Sequence, residues 1–132
     1  MNKTKIAFQG EKGAYSHIAC ETIYKSPEIK NCATFEETFK IAFEEENVKA
    51  IIPLENSLAG RVADIHYLLP KYKLQIYGEH FQKVEHCLLS KPEAELKDIK
   101  YIRSHAQAIG QCQNIIKKNK FIPIISADTA GS

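Results

Sequence analysis

The chain has little net charge. Its 18 Lys and Arg stand against 16 Asp and Glu, a formal balance of +2. The charges are dispersed, which excludes a dedicated nucleic-acid surface. The densest basic run, Lys117-Lys118-Asn119-Lys120, falls at a predicted helix C-terminus, where cations complement the helix dipole. Long apolar runs are missing as well. None approaches a membrane span, and none of signal-peptide length follows Met1 to Lys5, so no membrane association is expected and the protein reads as cytoplasmic. Cys-x-x-Cys is absent. Cys20, Cys32, Cys87 and Cys112 lie far apart, which argues against a zinc or dithiol motif and leaves free buried thiols as the expectation. His80 and His86 also lack metal-ligand spacing, so no metal is expected. There is no internal repeat, no low-complexity segment and no Trp.

What remains is an ordinary globular composition, 44% hydrophobic and 26% charged over 132 residues. That length buries about two-thirds of the unfolded chain's surface, enough for a core. Lys5-Ile6-Ala7-Phe8 reads as a strand ending at Gly10. Ala14 to Tyr24 has helical spacing, with Ser16 as a cap, and Ser26-Pro27 stops it. Ile29 to Ala33 reads as a strand. Thr34-Phe35-Glu36-Glu37 is a capping-box pattern opening a helix with Phe35, Phe39, Ala42 and Phe43 inward. Asn47 closes that helix, and Lys49 to Ile52 is a third strand. Val62 to Leu69 is a helix ended by Pro70. Leu74 to Gly78 and Phe81 to Leu89 read as strand-rich without an intervening helix. Lys100 to Arg103 is then a strand, and His105 to Lys118 a helix with Ala108, Ile109, Cys112, Ile115 and Ile116 inside. Phe121 to Ser126 is a strand, and Asp128 to Ser132 a turn toward a further helix.

Alternating strands and helices predict an α/β fold with mostly parallel sheets. The change of character near Gly78 divides the chain into a first lobe, residues 1–78, and a second, residues 79–132, with a cleft between them. Because the chain stops in a turn, both lobes are expected to be cut short at the C-terminus.

Four segments could carry chemistry. Phe8 to Ser16 is a strand, a glycine turn and a helix start bearing a hydroxyl. It suits an anion, or is simply a tight turn with a cap; it lacks the spacing of a nucleotide loop. Glu55-Asn56-Ser57, closing on Gly60, follows an apolar strand. It is a ligand loop at a strand's C-terminal end, or a helix cap. Arg103 to Cys112 places Ser104 at a helix start, with Gln107 and Gln111 following on one face. These would hold a carboxylate, or are a cap and solvated glutamines. Asp128-Thr129-Ala130-Gly131-Ser132 is another strand-to-helix turn with hydroxyls. No Ser-His-Asp relay fits, since Ser104 and His105 are neighbours, and no carboxylate pair stands out. Glu44-Glu45-Glu46 reads as an exposed helix end.

Taken in order, these segments resemble the catalytic domain of the prephenate dehydratase family. The family has a glycine-rich strand-turn-helix, as in Gln9 to Ser16, and a Pro-hydrophobic-Glu-Asn-Ser-x-x-Gly block, as in Pro53 to Gly60. It has a His in a second-lobe strand, as in Val84-Glu85-His86-Cys87-Leu88-Leu89. A Ser-His-Pro-Gln block ending in Gln-Cys follows, here Ser104 to Cys112, and then Asp-Thr-Ala-Gly, here Asp128 to Gly131. The resemblance implies a two-lobed, type-2 periplasmic-binding-protein-like fold. It also implies a carbon–oxygen lyase that converts prephenate to phenylpyruvate, carbon dioxide and water in phenylalanine biosynthesis, with no cofactor and no metal. By the same resemblance Asn56, Ser104 and Gln111 are catalytic, while Ser16, Glu55, Ser57, Gln107, Thr129, Ala130 and Gly131 bind or line the substrate.

Two departures are visible. Glu11-Lys12 stands where the family has Gly-Pro or Gly-x-Pro, and Ala106 replaces the Pro of Ser-His-Pro-Gln. The family's Thr-Arg-Phe motif, whose Thr is the favoured proton donor, and its phenylalanine-sensing ACT domain would lie beyond Ser132. The 132-residue chain by itself is therefore expected to show little dehydratase activity. Arogenate dehydratase, whose substrate has an amino in place of a keto side chain, shares the motifs. A non-catalytic module binding small anions is the alternative of another class. A first lobe lacking its returning part would expose a sheet edge, which invites pairing with a second copy.

Overall fold

The structure is a computed structural model that describes residues 4–132. Met1, Asn2 and Lys3, where the N-terminal reading begins, lie outside the described residues. The chain forms two compact units that part between Gln82 and Lys83.

In the first unit β1 (Lys5–Gln9) lies between β2 (Glu28–Cys32) and β3 (Val48–Ile51), all parallel, with Ala7 opposite both Lys30 and Ala50. Ile6, Ala7 and Phe8 are each 0% exposed. Such an unbroken apolar run is what a central parallel strand requires, because both faces are covered. Ile6 and Phe8 pack on Cys20 of α1 (Tyr15–Ile23), with Tyr24, Ile29 and Ile51 around them. Phe39 of α2 (Phe35–Glu44) packs on Ile65 and Leu68 of α3 (Ala63–Tyr72). Between β3 and α3, β4 (Glu55–Asn56) and β5 (Gly60–Arg61) form a small antiparallel hairpin.

The helix starts are set differently from one another. Ser16 does not cap α1. The cap position belongs to Ala14, which makes no side-chain bond. The turn before it, with Gly10 at φ 118° and Gly13 at φ 90°, delivers the chain into the helix two residues too early for Ser16 to serve. The capping box of α2 does form. Thr34 Oγ1 accepts from the Glu37 N–H at 3.1 Å, and the Glu37 carboxylate accepts from the Ala33 N–H at 2.8 Å, one residue before the usual position. Thr34→Ala is expected to cost about 1 kcal/mol, a fall of roughly 4–8 °C in the melting temperature of this unit, read by thermal denaturation.

Several expectations are corrected. Phe43 is 61% exposed rather than inward, because the last turn of α2 meets only the edge of Tyr72, with ring centroids 6.0 Å apart. Pro70 does not end α3, which runs to Tyr72. One missing N–H in the last turn is tolerated, and Lys73 at φ 52° closes the helix. Residues 74–89 form no ladder among the described residues. Alternating apolar residues there mark a face, but a ladder needs a second backbone beside them.

Among the described residues, two exposed ion pairs join segments distant in sequence in the first unit. Lys30 Nζ lies 2.7 Å from Glu45, and Lys71 Nζ lies 2.5 Å from Glu36. Hydrogen bonding to Lys71 holds the Glu36 carboxyl below the ordinary range. A carboxylate whose folded value is depressed adds stability above its unfolded value, and loses it as pH falls through the folded one. The stability difference between the wild type and Lys71→Met should therefore shrink as pH drops below about 4.5, and also in high salt. Melting temperatures across pH 7 to 3 check this.

In the second unit β6 (Tyr101–His105) and β7 (Ile122–Ser126) are parallel, with Ser104 opposite Ile125. The predicted single helix is two, α4 (Ala106–Gln111) and α5 (Gln113–Asn119), broken at Cys112. The break has a local cause. The Cys112 N–H is shared between the Ala108 and Ile109 carbonyls, and the Gln113 side chain donates to Ile109 O at 3.1 Å, competing with the backbone. Ile109, Ile116 and Phe121 form the core with Ile99, Ile102 and Cys112, while Ile115 is 43% exposed rather than inside. The turn at Asp128 to Ser132 does not become a helix among the described residues. All four cysteines are free. Cys20 and Cys32 are buried, Cys112 is half-buried, and Cys87 is exposed against expectation. Burial pushes the Cys20 thiol up to about 11. Among the described residues no helix is long and apolar enough to cross a membrane, and no cluster of three potential metal ligands occurs.

Candidate functional site

Ser16, Glu55, Asn56 and Ser57 belong to the first unit. Ser16 is the second residue of α1 and half-buried, just after the glycine turn that ends β1. There the Gly13 N–H donates to His17 Nδ1 at 3.4 Å, so the turn is tied to the helix it precedes. Glu55 and Ser57 are exposed, and Asn56 is half-buried.

Asn56 has a defined local task. Its Oδ1 accepts from the N–H groups of Leu58 at 2.9 Å and Ala59 at 3.1 Å. This is the Asx-type bonding that Asn favours in turns, and it closes the β4–β5 hairpin onto Gly60 at φ 83°. Both lone pairs of the amide oxygen are committed. Whatever a ligand takes from this side chain must therefore come from the N–H end. The helix cap weighed for Asn56 and Ser57 does not occur: α3 begins after Val62, which makes no side-chain cap.

Ser104, Gln107, Gln111, Thr129, Ala130 and Gly131 belong to the second unit. Ser104 is the penultimate residue of β6, half-buried and in the ladder opposite Ile125. It does not start α4. That position is taken by His105, whose Nδ1 accepts from the Gln107 N–H at 3.3 Å. The helical spacing from Ser104 to Gln111 is therefore lost, while Gln107 and Gln111 remain four apart on α4. Gln107 is exposed and Gln111 half-buried at the helix end. Gln111 Oε1 lies 2.8 Å from His86 Nε2. Thr129, Ala130 and Gly131 form an exposed turn held by Asp128, whose carboxylate accepts from the Gly131 N–H.

His86 stands in the Val84 to Leu89 block but was not among the predicted site residues; the local signal for it is a histidine beside Glu85 in an otherwise apolar stretch. The first unit offers the Asn56 amide, its oxygen engaged by backbone N–H groups, and the second offers the Gln111 amide, its oxygen at His86, with the Ser104 hydroxyl near a strand end. Such groups can hold anions and orient them, and they do not titrate near neutrality.

The profile described as prephenate dehydratase matches residues 6–132. A bifunctional N-acyl-homoserine lactone acylase/prephenate dehydratase of Komagataeibacter europaeus is 45% identical over 127 residues, covering 96% of this chain and 45% of that protein. Arogenate dehydratase 2 of Petunia hybrida is 34% identical over 131 residues, covering 99% of this chain and 33% of that protein. The crystal structure of the prephenate dehydratase from Staphylococcus aureus subsp. aureus Mu50 superposes with a TM-score of 0.81 at 22% identity, over 92% of this chain and 47% of the other. At that identity the likeness speaks for the fold. The chain spans a third to a half of the length of these relatives.

Proposed function

Because this chain belongs to the prephenate dehydratase family, with its type-2 periplasmic-binding-protein-like α/β fold, we propose that the protein carrying it converts prephenate to phenylpyruvate. The match over residues 6–132 carries this reading. Prephenate is a dianion. Taking up one proton, it loses carbon dioxide and water and leaves the phenylpyruvate anion, and aromatisation of the ring drives the step. The enzyme must hold two carboxylates, orient the ring and protonate the departing hydroxyl.

The residues divide that work. Asn56 and Gln111 supply N–H donors to substrate oxygens, and Ser104 supplies a hydroxyl. Fixed neutral dipoles stabilise developing charge without reorganising at the moment of reaction. Glu55 and Ser57 adjoin Asn56 in sequence, Gln107 falls between Ser104 and Gln111, and Ser16 and Thr129 to Gly131 line the substrate. The proton for the leaving hydroxyl is assigned to the family's Thr-Arg-Phe motif. The reaction is that of a lyase in the cytoplasm, and an open edge at β2 or β3 would let a second copy pair there, which light scattering reads.

The test is turnover by the purified protein that contains these 132 residues, followed as phenylpyruvate formation. Comparing kcat/KM for prephenate and arogenate separates the two dehydratase activities. Binding of prephenate without turnover of either would leave the small-anion module instead. One observation favours a second reading: the relative at 45% identity is named for lactone acylase activity too. Release of the fatty acid from an N-acyl-homoserine lactone tests it on the same preparation.

A further inference from the structure

A glutamine amide is nearly symmetric in shape and opposite in chemistry at its two ends. Left to rotate, it meets a substrate oxygen with its own oxygen as readily as with its nitrogen. Gln111 also has three side-chain torsions, so holding one arrangement costs rotamer entropy. The structure supplies the restraint from 25 residues away: His86 Nε2 sits 2.8 Å from Gln111 Oε1. An amide oxygen can only accept, so the hydrogen belongs to His86 Nε2, in the neutral Nε2–H tautomer or the imidazolium. With the oxygen drawn to His86, the N–H end is turned the other way.

We propose that His86 is a positioning residue for the dehydratase reaction: it fixes the Gln111 amide so that its N–H groups, and not its oxygen, address a substrate carboxylate or hydroxyl. This rests on reading Gln111 as a substrate-binding group. The arrangement parallels Asn56, whose oxygen is committed to the Leu58 and Ala59 N–H groups. Here a remote side chain does what neighbouring backbone does there. His86 stands in residues 74–89, which form no ladder among the described residues, so a plain tethering role must be told apart from a positioning one.

The test uses the full-length protein that contains this chain. His86→Phe removes the donor and keeps a ring. It is expected to lower kcat for prephenate about three- to tenfold with KM changed less than about twofold, since a neutral hydrogen bond is worth about that factor. His86→Gln, whose Nε2 reaches the position of the imidazole Nε2, should restore most of kcat. In the Gln111→Ala background, His86→Phe should add no further loss, because the bond is already gone. A His86→Phe variant with unchanged kcat overturns the positioning role. So does one whose loss multiplies with that of Gln111→Ala, or one that lowers the melting temperature and is not rescued by Gln. If Gln111→Ala itself leaves kcat unchanged, the substrate-binding reading of Gln111 fails, and the positioning role fails with it.

Discussion

Asn56→Asp is expected to lower kcat/KM for prephenate about 100- to 1,000-fold while moving the melting temperature by no more than about 2–4 °C. The asymmetry follows from what the side chain does. Its oxygen closes the hairpin by accepting from the Leu58 and Ala59 N–H groups, and an aspartate oxygen can accept those bonds equally well. Its nitrogen is the only end that can donate, and if Asn56 binds substrate as proposed, aspartate replaces that donor with a negatively charged acceptor set against a dianion. The loss therefore combines a missing donor with like-charge repulsion. Asn56→Ala separates the two tasks: it should lose activity and also about 1 kcal/mol of stability, because the turn N–H groups lose their acceptor. Steady-state kinetics and thermal melts on both variants check this. An aspartate variant within threefold of wild type would remove Asn56 from the substrate's contacts.

Phe8→Ala is expected to destabilise the first unit by about 3–5 kcal/mol, against a total of about 5–15 kcal/mol for a typical domain. Phe8 is fully buried on the central strand, in a cluster with Ile6 and Cys20 of α1 that Ile29 and Ile51 of the flanking strands pack against. A cavity there has neighbours on every side, and a paired strand cannot slide to fill it. The melting temperature should fall by roughly 12–40 °C, since each kcal/mol shifts a unit of this size by about 4–8 °C. Phe43→Ala is the control: with most of its ring already in water, it should cost less than about 1 kcal/mol. Urea midpoints for the two variants make the comparison, and similar shifts would show that the packing around Phe8 is not the unit's core.

The α/β order was legible in the chain because its signals are local. Ile6-Ala7-Phe8 is a continuous apolar run of strand length, and Thr34 to Glu37 carries its own capping chemistry, so each element announces itself within a few residues. The family was legible for a related reason: its blocks keep their order and spacing from Gln9 to Gly131. The four candidate segments stood out by their local chemistry and spacing, and the catalytic and binding roles within them were named from those blocks.

Tertiary structure decided what depends on groups distant in the chain or on competition among neighbours. Ser16 lost its cap to the geometry of a glycine turn, and Ser104 lost its helix start to His105 because the β6–β7 ladder carries one residue further. The helix predicted from His105 to Lys118 broke where the Gln113 side chain takes a carbonyl the backbone would use. Residues 74–89 have the pattern of strands and no ladder, since pairing belongs to two segments and a pattern to one. The sequence by itself determined which amides and hydroxyls the proposed site can draw on. Which end of the Gln111 amide is held was decided by His86, a residue that only folding brings within hydrogen-bond reach.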